Sequence, residues 1–364
     1  MKTASHNSTP RAQGSGFRKG MRGGPLYLAL LTWLFTLPGN GATSAIEDVK
    51  YQRAFDEAVD KGLSFLAQSQ TKEGSIGTKN NPAITSLAVM AFLARGYTPG
   101  LPPYGDVINR GIDYILTMPD AKGTLMGGAG QMYSHNIATL MLSEVSGMTD
   151  PERQARIDKV LPRALRITLE AQAVNKGESS AGGWRYQPTS SDSDISMAGW
   201  ALASLRSARN NGAPVPKEAI ERAVKYILRC RTKDNGFAYQ PGGGANLART
   251  GIGLLCLELA GRHRDEVTLK AGEYIINKFK GSDPLNGETC RYYALYYVAG
   301  GMFQLGGPEW ETFAPTLYNH ILKMQIENGS WPAPGGHEND VHYCTSMAIL
   351  SLSVSYRQLP IYQR

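Results

Sequence analysis

The chain has 364 residues, of which 42% are hydrophobic and 19% are charged, a composition that excludes a disordered or fibrous protein and permits a large apolar core. Five of its 38 basic residues and none of its 31 acidic residues precede residue 46, so the rest of the chain is almost neutral. Because a nucleic-acid site needs clustered excess Lys and Arg, this charge balance also excludes nucleic acid as an expected partner.

Residues 1–45 have the order of a secretory signal peptide. Basic residues precede an apolar run at Leu26–Leu37, and small residues follow it up to Ala45. The run is shorter than the roughly 20 apolar residues that a membrane-spanning helix needs, and Met21 would open a signal of more ordinary length. The pattern predicts an exported protein, periplasmic or extracellular, with residues 46–364 as one domain. An uncleaved N-terminus that tethers the protein to a membrane, with peripheral membrane contact, is the alternative.

A repeat of about 50 residues fills the rest of the chain, and each copy predicts a pair of helices. The first helix of a pair is amphipathic, whereas the second, after a glycine-rich break, is apolar on nearly all sides and must be buried on both. The copies begin at Lys61, Arg110, Arg163, Arg222 and Lys270, and Ile321-Leu322 marks a sixth. The second helices are centred on Thr85–Phe92, Ile137–Leu142, Ala198–Leu205, Thr250–Leu257, Tyr292–Val298 and Thr345–Leu352.

This alternation predicts an all-α fold in which the apolar helices form an inner ring and the amphipathic helices an outer ring. An open solenoid would need polar capping repeats at its ends, but the last copy is as apolar as the middle ones. The sequence therefore predicts an (α/α)6 toroid of six helix-pair repeats and about twelve helices.

The pattern of the first helices, which individual copies match to different extents, is a basic residue, Gly or Ala, an aromatic-aliphatic pair, then Gln, Gly and Trp; Ile76 replaces the Trp in the first copy, and the sixth lacks the basic residue. This order resembles the QW repeat of squalene and oxidosqualene cyclases and the repeats of protein prenyltransferase β subunits. Gln325-Ile-Glu-Asn-Gly329-Ser-Trp331 matches the end of the motif fully, and Gln172 with Gly183-Trp184 matches it loosely. The chain also looks like exported bacterial proteins with prenyltransferase and squalene-oxidase repeats.

The resemblance implies a toroid of the terpenoid cyclase and protein prenyltransferase superfamily, with a central apolar cavity that takes an isoprenoid or another apolar small molecule. As an enzyme, such a protein would be a terpene cyclase of the isomerase type or a prenyltransferase. The alternative is a toroid without catalytic activity that binds lipid or protein segments.

Two aspartates raise the possibility of acid catalysis. Class II terpene cyclases protonate a polyene with the middle Asp of an Asp-x-Asp-Asp motif, and the resemblance places Asp192-Ser-Asp194-Ile195 at that motif, with Asp194 as the acid. Asp194 also occupies the position that Asn81 and Asn246 hold in other repeats, four residues before the inner-helix pattern, which is typical of a helix N-cap. Since a helix N-terminus stabilises a carboxylate, the N-cap interpretation works against a proton donor.

The prenyltransferase resemblance implies a zinc site. Those β subunits hold zinc with an Asp-x-Cys pair and a later His, so Glu288, Cys290 and His342 would be the ligands here, with Cys344 or water as the fourth. Glu288 replaces the Asp of the motif. The alternatives are a disulfide between Cys290 and Cys344 and two free buried thiols.

Aromatic residues are frequent on the predicted inner helices and in the loops before them. In cyclases such rings stabilise carbocations through their π faces, so the resemblance implies that they line the cavity, whereas core packing is the alternative. The predicted cavity-lining residues are Trp184, Tyr186, Trp200, Tyr239, Tyr292, Tyr293, Tyr296 and Tyr297.

Overall fold

The computed structural model describes residues 41–78, 81–127, 131–281 and 283–363, and residues 48–364 form one compact unit. None of the described helices is long and apolar enough to cross a membrane. The predicted signal peptide lies outside the described residues, except for residues 41–45. The described helices are α1 Gly41–Gln68, α2 Asn81–Ala94, α3 Gly105–Ile115, α4 Met132–Val145, α5 Pro151–Ala173, α6 Ile195–Asn210, α7 Lys217–Arg229, α8 Leu247–Leu259, α9 Glu266–Lys278, α10 Arg291–Leu305, α11 Gly307–Lys323 and α12 Val341–Leu352.

The even-numbered helices form the inner ring and the odd-numbered helices the outer ring. Almost every residue of α4, α6, α8 and α12 is buried, whereas α7 buries one face and exposes the other. Each inner helix packs against the next, and α12 packs against α2, which closes the ring. The predicted toroid is therefore confirmed, and its inner helices include the two weaker patterns at Ile137–Leu142 and Tyr292–Val298.

Short elements complete the described part of the chain. Strand β1, Phe237–Ala238, pairs antiparallel with β2, Ala245–Asn246, in the loop before α8. Two 3-10 helices, Ser353–Tyr356 and Pro360–Tyr362, follow α12.

The glutamine of the repeat joins one outer helix to the next. Gln172 Nε2 donates to the Gly182 carbonyl and, at 2.9 Å, to the Ala219 carbonyl in α7, while Gln172 Oε1 accepts from Arg222 Nη2 at 2.9 Å. The basic residue that opens one repeat thus holds the glutamine that ends the preceding helix. The same bonds recur in the first repeat, where Gln70 Nε2 donates to the Gly74 and Val107 carbonyls and Gln70 Oε1 accepts from Arg110 Nε.

The same contact closes the ring between the last repeat and the first. Gln325 Nε2 donates at 2.8 Å to the carbonyl of Gly329 and at 2.8 Å to that of Ala58 in α1. Gly329 has a φ of +85° and lies so close to α1 that a Cβ atom there would be 2.6 Å from the Lys61 carbonyl oxygen. Glycine is therefore required for both the backbone conformation and the close approach.

A buried histidine in α4 is hydrogen-bonded through both ring nitrogens. His135 Nδ1 accepts from the Leu125 N–H at 3.1 Å, and Nε2 lies 3.0 Å from the Ala164 carbonyl, to which it donates. Both ring nitrogens are thus used by the neutral imidazole. Burial lowers the pKa of His135 to about 4.

We expect the contribution of His135 to the free energy of unfolding to decrease as the pH falls from about 6.5 towards 4, whereas Glu144, whose burial raises its pKa to about 7, changes the stability in the opposite direction over this range. Because the folded-state pKa of His135 lies below the unfolded-state value, stability present above pH 6.5 is lost on acidification, by up to about 3 kcal/mol. Urea unfolding at a series of pH values measures the slope. His135→Gln should lack this contribution, so the difference in the free energy of unfolding between the two proteins should shrink by up to about 3 kcal/mol as the pH falls. A difference that does not change with pH would assign the acid sensitivity to other groups.

Candidate functional site

Carboxylates connect the starts of the inner helices at one rim of the ring. Glu288 precedes α10 and accepts from the Leu247 N–H at the start of α8 at 2.8 Å. Glu338 precedes α12 and accepts from the first three backbone N–H groups of α10. Asp340 is the N-cap of α12, and it also accepts from the Thr78 N–H in the segment before α2. These helices therefore begin on one rim, as the repeat register predicts.

The predicted zinc ligands share this rim but have other partners. Glu288 binds the start of α8, and His342 Nδ1 lies 2.9 Å from Asp340 Oδ1. In the ranges that the structure describes, no group of three His, Cys, Asp or Glu side chains is placed to hold a metal ion. The structure thus does not assemble Glu288, Cys290 and His342 as a ligand set, because helix capping has engaged the carboxylates.

The two cysteines of this rim are separate thiols. Cys290 is half-buried and Cys344 is fully buried, and neither forms a disulfide. Burial and the Glu338 carboxylate both raise the pKa of the Cys290 thiol. Burial and the neighbouring carboxylate therefore disfavour the thiolate form of Cys290, which is the form that binds zinc or attacks a substrate.

Asp194 is both the N-cap of α6 and one half of a buried ion pair. Its carboxyl group is fully buried, with Oδ1 accepting from the Met197 N–H at 2.9 Å and Oδ2 accepting from Arg185 Nη1 at 3.0 Å. Arg185 Nε also lies 3.2 Å from the more exposed Asp192. The pKa of Asp194 is raised overall by burial, and the Met197 N–H and the Arg185 guanidinium offset this only in part. The N-cap interpretation is confirmed, and both oxygens have donors that favour the carboxylate.

Phenol side chains surround this ion pair. Arg185 Nη1 donates to the Tyr239 hydroxyl at 2.9 Å, and that hydroxyl is hydrogen-bonded to the hydroxyl of Tyr186. The Arg185 guanidinium also lies over the Tyr186 ring, 4.5 Å from its centroid. Tyr133, at the start of α4, stacks on Tyr186, and Tyr293 of α10 lies beside Tyr133. We call the cluster of Tyr133, Tyr186, Tyr239 and Tyr293 the tyrosine mouth; these four residues and Arg185 are partly exposed, although the Tyr293 hydroxyl is buried.

Aromatic rings fill the interior next to the tyrosine mouth. Trp200 of α6 stacks on Tyr296 of α10 with 5.3 Å between centroids, and it meets Tyr297 edge-on at 5.4 Å. Tyr293 and Tyr297 are also edge-on, at 4.9 Å. Because α8 lies between α6 and α10 in the ring, the stacked side chains of α6 and α10 meet on the interior side of α8. Four of the predicted lining residues thus come together in the interior, where they pack against one another.

Two other predicted lining residues are placed in the wall of the toroid. Trp184 is fully buried and its Nε1 donates to the Thr168 carbonyl of α5 at 2.7 Å, as Trp331 does towards α11. The Tyr292 hydroxyl donates to the Pro332 carbonyl at 2.9 Å. Buried indole N–H and phenol groups need hydrogen-bond partners. For Trp184 and Tyr292 these partners lie in the wall, between the inner and the outer ring of helices.

Sequence reasoning missed Arg185 and Tyr133. Arg185 lies between two predicted residues, Trp184 and Tyr186, on a short extended segment where Trp184 pairs with Asp194. Side chains alternate in direction along such a segment, which predicts that Arg185 faces away from Trp184. The same rule would place Tyr186 on the side of Trp184, whereas Tyr186 contacts Arg185, so alternation alone does not predict the site.

Comparisons with known proteins agree on the architecture. The model of the prenyltransferase alpha-alpha toroid domain matches residues 106–293, and no curated protein matches the chain. The type II terpene cyclase MstE from Scytonema superposes with a TM-score of 0.55 at 14% identity, covering 84% of this chain and 100% of its own. An MstE variant in complex with its substrate geranylgeranyl dihydroxybenzoate gives 0.56 at 13% identity, covering 86% and 99%.

A glycoside hydrolase is equally similar. The GH76 α-mannanase of Bacteroides thetaiotaomicron has a TM-score of 0.57 at 12% identity, covering 82% of this chain and 94% of its own. At these identities the structural likeness shows the fold alone, so the chemistry must be argued from the site itself.

Proposed function

We propose that this chain, which belongs to the prenyltransferase alpha-alpha toroid family, is an exported protein. In this proposal it binds an isoprenoid-type molecule through the tyrosine mouth. The observation that carries the proposal is the partly exposed Arg185 with its phenol neighbours beside an aromatic interior. The polar end of the ligand would lie against Arg185 and the phenols. Its hydrocarbon part would have to enter between the rings of Trp200, Tyr296 and Tyr297, which pack against one another in the structure.

The charges of the site indicate the class of polar end group. Arg185 is already paired with Asp192 and Asp194, and Arg249 lies over the Tyr239 ring at 5.6 Å. Two guanidinium groups and two carboxylates leave no cationic excess for a diphosphate. Phenol hydroxyls donate and accept, so a hydroxyl, a phenol or a single carboxylate suits the site better. The dihydroxybenzoate of the molecule bound by the MstE variant is a group of this kind.

The arrangement supports ligand binding without proton-started cyclisation at Asp194. An acid that protonates an alkene must carry its proton on an oxygen that the substrate can reach. Asp194 is fully buried, and its two oxygens accept from Met197 and Arg185. The signal-peptide pattern of the sequence supports the exported location.

We expect Arg185→Met to weaken binding of geranylgeranyl dihydroxybenzoate about tenfold or more, because a charge-assisted hydrogen bond to the polar end group would be lost. Tyr239→Phe removes only a hydroxyl and should weaken binding less. Quenching of tryptophan fluorescence measures affinity, since Trp200 lies in the interior. Arg166→Met, an exposed position on α5, is the control and should bind like the unmodified chain.

Circular dichroism melting of each variant separates loss of fold from loss of affinity. Native mass spectrometry of the exported protein, with lipid extraction, gives a second readout for a retained isoprenoid. The proposal is contradicted if the unmodified chain does not bind, or if a folded Arg185→Met variant binds equally well.

A further inference from the structure

A concave groove lies on the outside of the toroid, near the ends of α6 and α8 that are remote from the tyrosine mouth. Its floor is formed by Ile220, Val224 and Leu228, four residues apart on α7, together with Ala260. The groove has a volume of about 460 Å³. Residues with this spacing form an apolar strip along two turns of one helix face.

Cationic side chains surround the apolar strip and exceed the carboxylates. Glu221 is the acidic residue of the lining, and it pairs with Lys217 at 3.2 Å. Arg262 pairs with Asp265 outside the lining. In the described parts of the chain, no carboxylate lies within ion-pair distance of the other basic residues of the lining, Arg206, Arg209 and Lys225. The basic residues of the lining are Arg206, Arg209, Lys217, Lys225 and Arg262.

Two of these guanidinium groups repel each other. Arg206 is held in place by a 2.7 Å hydrogen bond from its Nε to the Leu259 carbonyl. Burial and the charge of Arg209 both lower the pKa of Arg206. An anionic group in the groove would relieve this repulsion, whereas water only screens it.

The shape of the groove distinguishes the classes of anionic partner. A free anion would leave the apolar strip uncovered, and a flat membrane surface is usually met by protruding apolar side chains. The large hydrophobic residues that are exposed in the described structure are Leu101, Met148 and Ile326, and none of them lines the groove. An amphipathic helix with acidic flanks covers both the strip and the cations.

We propose that this groove is the docking site for an acidic amphipathic helix of a partner protein. Apolar side chains of that helix lie on Ile220, Val224 and Leu228, and its carboxylates face Arg206, Arg209 and Lys225. The interaction is independent of ligand binding at the tyrosine mouth, because it uses another surface of the ring.

The test uses a fluorescein-labelled synthetic helical peptide with Leu at three positions four residues apart and Glu on both flanks. Fluorescence anisotropy with the protein should show that this peptide binds at least tenfold more tightly than two matched peptides do, one with Lys for Glu and one with Ser for Leu. Because part of the attraction is electrostatic, raising the salt concentration should weaken binding.

The double variant Arg209→Glu with Lys225→Glu should weaken binding of the acidic peptide at least tenfold, since it reverses two charges that have no acidic partner. Lys72→Glu with Lys159→Glu reverses two exposed charges elsewhere and should change affinity less than about twofold. Thermal melting of both double variants verifies that they fold.

The proposal fails if the groove variant binds the acidic peptide as tightly as the unmodified protein does. It also fails if the Ser peptide binds equally well, since the attraction would then be a charge effect alone. Sedimentation with phosphatidylcholine vesicles that contain phosphatidylglycerol tests the membrane alternative. Vesicle binding that needs Arg209 and Lys225, without binding of the acidic peptide, would replace the proposed protein partner with a lipid surface.

Discussion

Gly329→Ala is expected to lower the free energy of unfolding by about 3 kcal/mol. An added Cβ atom must tolerate a φ of +85° and would also lie 2.6 Å from the Lys61 carbonyl oxygen, a backbone atom that cannot rotate away. The last repeat must then move away from the first, and the bond from Gln325 to Ala58 is weakened. Urea unfolding monitored by circular dichroism measures the loss.

The matched control is Gly212→Ala. Gly212 has a nearly identical φ of +87°, but among the described residues no atom beyond its two chain neighbours lies within 4 Å of the Cβ position. This variant should cost only the backbone strain of about 1 kcal/mol. Equal losses in the two variants would mean that close packing between the last and first repeats contributes nothing to stability.

Asp194→Ala is expected to cost about 3 kcal/mol, because it removes the cap of α6 and one partner of a buried ion pair. Asp194→Asn should cost only about 1 kcal/mol. Its amide oxygen can still accept from the Met197 N–H, although its amide nitrogen then faces Arg185. Chemical unfolding of both variants gives the two values.

The asparagine variant also separates a structural role for Asp194 from a catalytic one. Binding of geranylgeranyl dihydroxybenzoate should remain within about threefold of the unmodified protein, and any turnover that is detected should persist. A variant that binds normally but loses turnover would establish Asp194 as an acid and would contradict the mechanism preferred here.

The fold could be predicted because the polarity of each helix indicates whether it belongs to the inner or the outer ring. The run Thr250–Leu257 contains no charge and lies in α8, where both sides are buried, while Glu218–Arg229 alternates charges with apolar residues and lies in α7. Burial of a whole helix depends on average polarity and needs no knowledge of specific neighbours. This is why even the two weaker repeats were placed in the correct ring.

The site could be predicted only in part, because its geometry depends on contacts between repeats. The sequence shows that Glu288 and Cys290 precede an inner helix, but not that Glu288 binds the start of the preceding one. Likewise, Trp184 and Trp200 are both large and buried, yet one lies in the wall and the other in the interior. Which side of a helix or loop faces the axis is set by the ring as a whole.

Ring closure changes how the molecule can come apart. In an open array the terminal repeats have one neighbour each, so they fray first and the array opens from its ends. Here the bond from Gln325 to Ala58 gives the first and last repeats a second neighbour. No repeat can unfold without breaking its interfaces with two neighbours, so unfolding does not start preferentially at either end of the chain. Resistance to proteases should then be lost in a single step and not progressively from either terminus.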